Sequence, residues 1–284
     1  MRVAITHRTH LQYDAEVLEG VMDTRLGPRS DGDQQWERFE LLTEPVASVR
    51  SYSDGFANAA HLITLAKQHD FLEVVSRSVV RTLLDDPFRQ PRQPLRSLLA
   101  RERADYLSPS RLVPTSPEVA DLARPYRPTG PEDVLASLQQ LMAFVYTSFS
   151  YRQDVTTVAT TVPEVLRGGE GVCQDFAHVM IALSRAIDVP ARYVSGYIVP
   201  NGSASTTAGQ APSRGAGASH AWVEAYVPGY GWRGFDATNN LVASTSHVKM
   251  AIGRDYADVP PTRGTFRGHA AEHLRVDVAV HPLD

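Results

Sequence analysis

The sequence predicts an α+β protein: a β-sandwich N-terminal domain, residues 1–95, followed by a domain of helices packed on an antiparallel sheet, residues 96–284. Three features predict this architecture. Apolar and polar residues alternate in the first third of the chain, apolar residues recur at helical spacing in the middle, and a hairpin pattern occupies residues 220–236. Strands followed by helices in separate runs are typical of α+β proteins.

The overall composition excludes several classes of protein. The chain has 284 residues, with 28 basic and 32 acidic side chains and a net charge of −4. This balance argues against nucleic acid and an anionic membrane as partners. The amino terminus lacks the apolar core of a signal peptide, and no run reaches the roughly 18 to 20 apolar residues of a membrane span. A single cysteine forms no internal disulfide, so we expect a cytoplasmic protein, with the oligomeric state left open.

Strands are predicted throughout the first third of the chain. Every second residue from 3 to 13 lies on one face of an alternating strand, and a second strand is predicted over residues 71–80. Between them, Ser53-Asp54-Gly55 separates the runs 46–52 and 59–65, as a hairpin turn does. These strands together predict the sandwich.

We predict that the chain needs no metal and no cofactor. Asp31-Gly32-Asp33 lacks the further ligands of a calcium loop and is interpreted as a plain turn. The histidines of the N-terminal domain show no metal-ligand spacing and are interpreted as structural or solvent-exposed: His7, His10, His61 and His69.

Helices are predicted after a proline- and arginine-rich connector over residues 86–94, which marks the domain boundary. Ser116-Pro117-Glu118 combines an N-cap residue, a proline at the first helical position and an acidic first turn. A longer helix starts near Pro131 and carries an apolar stripe to Phe149. A short helix over residues 163–167 ends at Gly168-Gly169.

Cys173 is the only cysteine, and it lies where a loop turns into a buried helix that runs to about Ile187. Free N–H groups and the positive end of the helix macrodipole favour a thiolate at this position. The alternative is that Cys173 is a small, inert, buried hydrophobe. His178 lies five residues further on, off the line of direct helical neighbours, and is interpreted as structural.

A glycine-rich stretch precedes the predicted hairpin. Pro190 ends the Cys173 helix, and a strand follows over residues 191–199. Residues 201–218 are small and polar, with nothing to bury, and predict a mobile loop that serves either as a lid or as a tolerated surface insertion.

The hairpin pattern makes a prediction about register. Strands are predicted over residues 220–227 and 231–236, joined by Pro228-Gly229-Tyr230. If these three residues form the turn, Asp236 lies diagonally beside His220 on the same face, within reach of its imidazole. A turn of two or four residues would place them on opposite faces. We therefore predict a three-residue turn, or a bulge at Gly231 with the same effect.

The three residue types together can perform nucleophilic catalysis. Asp236 would hold the tautomer of His220, His220 would take the thiol proton, and Cys173 would attack an acyl carbon to form a thioester. The backbone N–H of Cys173 is one candidate oxyanion donor, and the sequence does not identify a second. Taken alone, His220 and Asp236 fit a buried histidine and an acidic turn residue.

Three motifs surround these residues: Gly171-Val172-Cys173-Gln174-Asp175-Phe176, Ser219-His220-Ala221-Trp222-Val223-Glu224 and Gly231-Trp232-Arg233-Gly234-Phe235-Asp236-Ala237-Thr238. Their order and context resemble the transglutaminase-like superfamily. The resemblance is closest to bacterial transglutaminase-like proteins described as cysteine proteases, which have a β-rich amino-terminal region. It implies that Cys173, His220 and Asp236 form the catalytic triad of a papain-like transglutaminase core, and it extends through residues 253–261 and a closing strand near 274–280.

The expected function is thiol-dependent cleavage or transfer at an amide bond of a peptide or protein substrate. Protease- or amidase-like hydrolysis of a peptide or glutamine side chain is favoured, and acyl transfer from glutamine to an amine is the alternative. The resemblance further implies aromatic walls around the acyl-enzyme, for which Trp222 and Trp232 are candidates, although aromatic residues in strands are more often core.

Two other classes of function remain open. A non-catalytic peptide-binding module would have lost part of the triad, whereas all three residues are present here. A metallohydrolase using His220 and Glu224 is disfavoured because the pair has no HExxH arrangement and lies on a strand.

Overall fold

The computed structural model describes residues 1–89, 98–200, 214 and 218–283. These residues form strands and α-helices that we number in chain order. The strands are β1 (Arg2–Val17), β2 (Glu19–Thr24), β3 (Gln34–Glu44), β4 (Ser48–Ser53), β5 (Ala59–Leu65), β6 (His69–Thr82), β7 (Ser150–Tyr151), β8 (Glu170–Gly171), β9 (Ala191–Ile198), β10 (His220–Val227), β11 (Gly231–Asp236), β12 (Leu241–Val242), β13 (His247–Gly253), β14 (Thr262–Arg267) and β15 (Glu272–Leu283). The helices are α1 (Ala100–Leu107), α2 (Pro117–Ala123), α3 (Val134–Ser148), α4 (Val162–Gly168) and α5 (Cys173–Ala186).

Two four-stranded antiparallel sheets form the predicted β-rich domain. One has the strand order β15-β1-β6-β3 and the other β14-β2-β5-β4. Every second residue of β1 from Val3 to Tyr13 is buried, as the alternation predicts. The predicted hairpin is present as β4 and β5, which pair from Ser53 opposite Ala59. The turn between them spans residues 54–58, longer than the predicted turn at 53–55.

The last strands of the chain complete these sheets. β15 pairs with β1 from Leu283 opposite Arg2, and β14 pairs with β2 from Thr262 opposite Thr24. The division at residue 95 assigned both strands to the second domain, whereas their hydrogen bonds join them to the first. An edge strand of a sheet accepts any strand of matching pattern, so sequence distance does not restrict the pairing.

The sheet of the second domain is five-stranded and antiparallel, with the order β12-β11-β10-β9-β13. Alternate residues of β10, such as Val223 and Val227, belong to the same buried cluster as Phe176 and Leu183 of α5. The helix therefore covers one face of this sheet, and the other face carries His220 and the residues that alternate with it. The α+β architecture is as predicted.

Local sequence signals place the helices. The Ser116 Oγ accepts a hydrogen bond from the Val119 N–H (3.2 Å) and caps α2. Helix α3 begins at Val134 because residues 131–133 form a 3₁₀ turn ahead of it. Gly169 ends α4 with φ +69°, a left-handed conformation that glycine adopts at little cost.

Two predictions lie largely outside the described residues. The predicted loop 201–218 is described only at Arg214 and Ala218, and the connector 86–94 only as far as Arg89. Among the described parts of the chain, no helix has the length and apolar character needed to cross a membrane.

Candidate active site

Cys173 is the first residue of α5, as predicted, and its side chain is half-buried. Asp175 fixes this end of the helix, because its Oδ2 accepts hydrogen bonds from the Val172 N–H (2.8 Å) and the Thr156 hydroxyl (2.6 Å). Burial raises the pKa of Asp175, and these two hydrogen bonds oppose that rise. A Cβ at Gly171 would lie 2.6 Å from Asp175 Oδ2, so only glycine fits the approach to the cysteine.

The hairpin has the predicted three-residue turn. Val227 lies opposite Gly231, and the register continues to Val223 opposite Phe235. Gly229 and Gly231 have φ of +80° and +82°, which a residue with a Cβ rarely adopts.

This register brings His220 to Asp236. Nε2 of His220 donates to Asp236 Oδ2 at 2.8 Å, and both side chains are fully buried. The predicted spatial pairing of the imidazole and the carboxylate is confirmed. A buried hydrogen bond to a charged group is stronger than one exposed to water, because water competes for neither partner.

Several other groups hold the Asp236 carboxylate. Its Oδ1 accepts from the backbone N–H groups of Thr238 (3.0 Å) and Asn239 (3.2 Å), and its Oδ2 accepts from Asn239 Nδ2 (2.8 Å). Burial by itself would raise the pKa of Asp236, but hydrogen bonds from His220 and His247 outweigh it and hold the pKa well below its usual range. Asp236 is therefore an anion throughout the neutral pH range.

The second ring nitrogen of His220 is the one available to the thiol. Nδ1 is buried and has no partner of hydrogen-bond geometry among the described residues, while Nε2 is occupied by Asp236. Burial by itself would lower the pKa of His220, but its interactions with Asp236 and Cys173 raise the pKa to about 10. The imidazole is therefore protonated at neutral pH, a state that pairs naturally with a thiolate.

His247 is a fourth member of this cluster, and no sequence signal pointed to it. Its Nε2 lies 3.4 Å from Asp236 Oδ2, and its Nδ1 lies 3.1 Å from the Ser246 hydroxyl. The ring contacts Trp222 edge-on, with centroids 5.2 Å apart. Sequence reasoning missed His247 because it lies on β13, outside the hairpin that supplied the other two residues.

The ligand atoms of His220, Asp236 and His247 all lie within 4.8 Å of one another. Two imidazoles and a carboxylate are a donor set that suits Zn²⁺, so these residues are the ones among those described that could hold a metal ion. The same three groups also fit a hydrogen-bonded cluster, in which the two imidazoles donate and the carboxylate accepts.

Glu224 serves a different purpose. Its carboxylate binds Arg192 (2.5 Å) and Lys249 (2.5 Å), and these opposite charges lower the pKa of Glu224 to about 2 even though burial acts to raise it. Lys249 Nζ also contacts Asp31 Oδ2 (2.8 Å) and Asp33 Oδ2 (3.7 Å). The Asp31-Gly32-Asp33 turn thus joins the β-sandwich to the five-stranded sheet through a buried lysine, a role that the sequence did not indicate.

Of the remaining site candidates, some contact the His220–Asp236–His247 cluster and others do not. His178 is fully buried and accepts a hydrogen bond from the Tyr256 N–H (3.1 Å), which agrees with a structural role. Trp222 stacks on His220, with centroids 6.1 Å apart and planes inclined by 28°. Trp232 instead lies under the guanidinium of Arg192, 4.1 Å from its ring centroid. Only Trp222 of the two tryptophans contacts the cluster.

Comparison with known families agrees with this fold. The family model of the transglutaminase-like superfamily core matches residues 121–237, which include Cys173, His220 and Asp236. The family model of the bacterial transglutaminase-like N-terminal region matches residues 3–81. The chain belongs to the transglutaminase-like superfamily.

Similar proteins span nearly the whole chain. An uncharacterized protein of Mycobacterium bovis is 33% identical over 98% of this chain and 91% of its own length. An uncharacterized protein of Mycobacterium leprae is 29% identical over 99% of both chains. Among solved structures, one described as a putative cysteine protease from Cytophaga hutchinsonii has a TM-score of 0.76 at 24% identity and covers 100% of this chain and 92% of its own. That likeness shows the shared fold.

Proposed function

We propose that this protein is a thiol-dependent enzyme that cleaves amide bonds of peptides or glutamine side chains through a thioester on Cys173. The observation that supports this most directly is the position of His220, which bonds Asp236 through Nε2, leaves Nδ1 without a hydrogen-bond partner among the described residues, and interacts with Cys173. The superfamily membership and a neighbour described as a putative cysteine protease support thiol chemistry at the level of class.

The first half-reaction forms the acyl-enzyme. The Cys173 thiolate attacks the amide carbon, and the carbonyl oxygen becomes an oxyanion. The backbone N–H of Cys173 belongs to the first turn of α5, where N–H groups have no intrahelical acceptor, and can donate to that oxyanion. As the tetrahedral intermediate collapses, Nδ1–H of His220 protonates the departing nitrogen, the C–N bond breaks, and a thioester remains.

The second half-reaction returns the enzyme to its starting state. A water molecule attacks the thioester while His220 Nδ1 accepts one of its protons, and the C–S bond breaks to release a carboxylic acid. Asp236 stays ionised throughout and stabilises the imidazolium whenever it forms. If an amine arrives in place of water, the same steps produce a new amide, which is the transglutaminase alternative.

A trapping experiment tests the proposal. The full chain is incubated with a library of peptide and glutamine donors, the mass of the chain is measured for a covalent acyl adduct, and the products are compared with and without an added primary amine. The expected result is an adduct on Cys173 and hydrolysed product, both absent from Cys173→Ala. An amine-containing product in place of the acid would instead assign the chain to acyl transfer.

Iodoacetamide labelling supplies a control that is independent of the substrate. A thiolate paired with an imidazolium reacts rapidly at neutral pH, whereas an inert buried thiol does not. Slow labelling of Cys173 in the folded chain, together with peptide binding and no turnover, would contradict the proposal and support a non-catalytic binding module.

A further inference from the structure

We infer that His247 is a positioning residue that shares the Asp236 carboxylate with His220 and thereby limits how strongly Asp236 holds the His220 proton. The inference deepens the thiol chemistry proposed above and rests on it. It concerns a side chain on β13, whereas the proposed triad comes from α5, β10 and β11.

The geometry places both imidazoles on one oxygen. Asp236 Oδ2 is 2.8 Å from Nε2 of His220 and 3.4 Å from Nε2 of His247, and it also accepts from Asn239. The His247 side chain is 2% exposed, so water does not compete for this contact. Each added donor withdraws negative charge from the carboxylate and makes it a weaker base toward the others.

The surroundings of His247 favour the tautomer that donates to Asp236. If the Ser246 hydroxyl donates to Nδ1, across a distance of 3.1 Å, the ring proton is on Nε2 and points at Asp236. Trp222 packs edge-on against the His247 ring and stacks on the His220 ring, so it fixes the orientation of both. Because both rings are already held in place, their contacts with one oxygen cost little additional conformational entropy.

Other titratable groups also face this cluster. Cys173 on α5 interacts with the His220 imidazole. Tyr151 on β7 lies within electrostatic range of Cys173, Arg214 and Asp236. The effect of His247 must therefore be separated from that of the thiol, which a cysteine-free variant makes possible.

The experiment measures the titration of His220 by NMR in ¹⁵N-histidine-labelled full-length Cys173→Ala protein. In this background we compare His247, His247→Leu and His247→Gln. The leucine removes the donor, whereas the glutamine keeps an N–H that can reach Asp236. We expect the leucine variant to raise the pKa of His220 by roughly half to one pH unit, and the glutamine variant to leave it near the parent value.

A purely structural His247 would give a different pattern. Both variants would lose thermal stability while the His220 titration stayed in place, and that outcome, or a fall in the pKa with leucine, overturns the inference. If the leucine variant does not fold, Ser246→Ala is the second test, because it frees the tautomer of His247 and should raise the pKa of His220 by a smaller amount.

The same samples also test whether His247 is instead a metal ligand. Stoichiometric binding of added Zn²⁺ that disappears in His247→Gln would show that His247 is a metal ligand, and this also overturns the inference. Because the titration uses protein without its thiol, it succeeds or fails independently of amide cleavage. Active enzyme supplies the matching readout, in which His247→Leu moves the alkaline limit of kcat/KM to higher pH.

Discussion

Replacing Asp236 by asparagine is the sharpest test of how the hairpin produces a reactive thiol. The amide has nearly the shape of the carboxylate, so its oxygen can keep the backbone hydrogen bonds from Thr238 and Asn239. Its NH₂ group then faces Nε2 of His220, which must give up its proton and become an acceptor. The ring proton moves to Nδ1, and the nitrogen that faces Cys173 can no longer accept one.

The structure sets the size of the effect. Asp236 and Cys173 together raise the pKa of His220 from 6.5 to about 10 against the effect of burial. A difference of this size corresponds to a factor of roughly 10³ in the stability of the imidazolium. Part of this rise in the pKa of His220 comes from Cys173 and not from Asp236. We therefore expect Asp236→Asn to lower kcat/KM by roughly 10²- to 10³-fold and to move the alkaline limit of its pH profile to lower pH.

The assay combines turnover with the rate of Cys173 alkylation across the pH range. Asp255→Asn is the matched control, because Asp255 is also a buried aspartate that accepts backbone N–H bonds, from Leu112 (2.9 Å) and Ala257 (2.8 Å). A folded Asp236→Asn protein that keeps wild-type kcat/KM and an unchanged alkaline limit would refute the reasoning.

Three further predictions concern stability. Gly196→Ala should cost about 1–3 kcal/mol in urea unfolding, since its Cβ would meet the β13 backbone, whereas Gly168→Ala, with open space around it, should be neutral or slightly stabilising. Lys249→Met should cost about 3–5 kcal/mol in the same assay because it leaves the Glu224 charge partly unpaired; an unchanged midpoint would contradict this. Burial lowers the pKa of His7 to about 4, so as the pH falls the unfolded chain binds a proton at His7 before the folded protein does. Roughly 3 kcal/mol of stability should therefore be lost between pH 6.5 and about pH 4. His7→Gln should flatten that part of the pH dependence.

The sequence predicted the local parts of the site well because their geometry depends on neighbouring residues. The start of α5 at Cys173 follows from the loop before it, and the meeting of His220 with Asp236 follows from a turn of three residues between two strands. Spacing along a hairpin fixes which side chains share a face, so no knowledge of the rest of the chain was needed.

The sequence by itself determined the α+β class, the helix that carries Cys173 and the pairing of His220 with Asp236. Only the tertiary structure decided that β14 and β15 close the N-terminal sheets, that His247 reaches the same carboxylate, and that Asp31 contacts Lys249. These contacts join residues far apart in the chain. Periodicity and turn chemistry act over a few residues, whereas the packing of one sheet against another depends on the shape of the whole core.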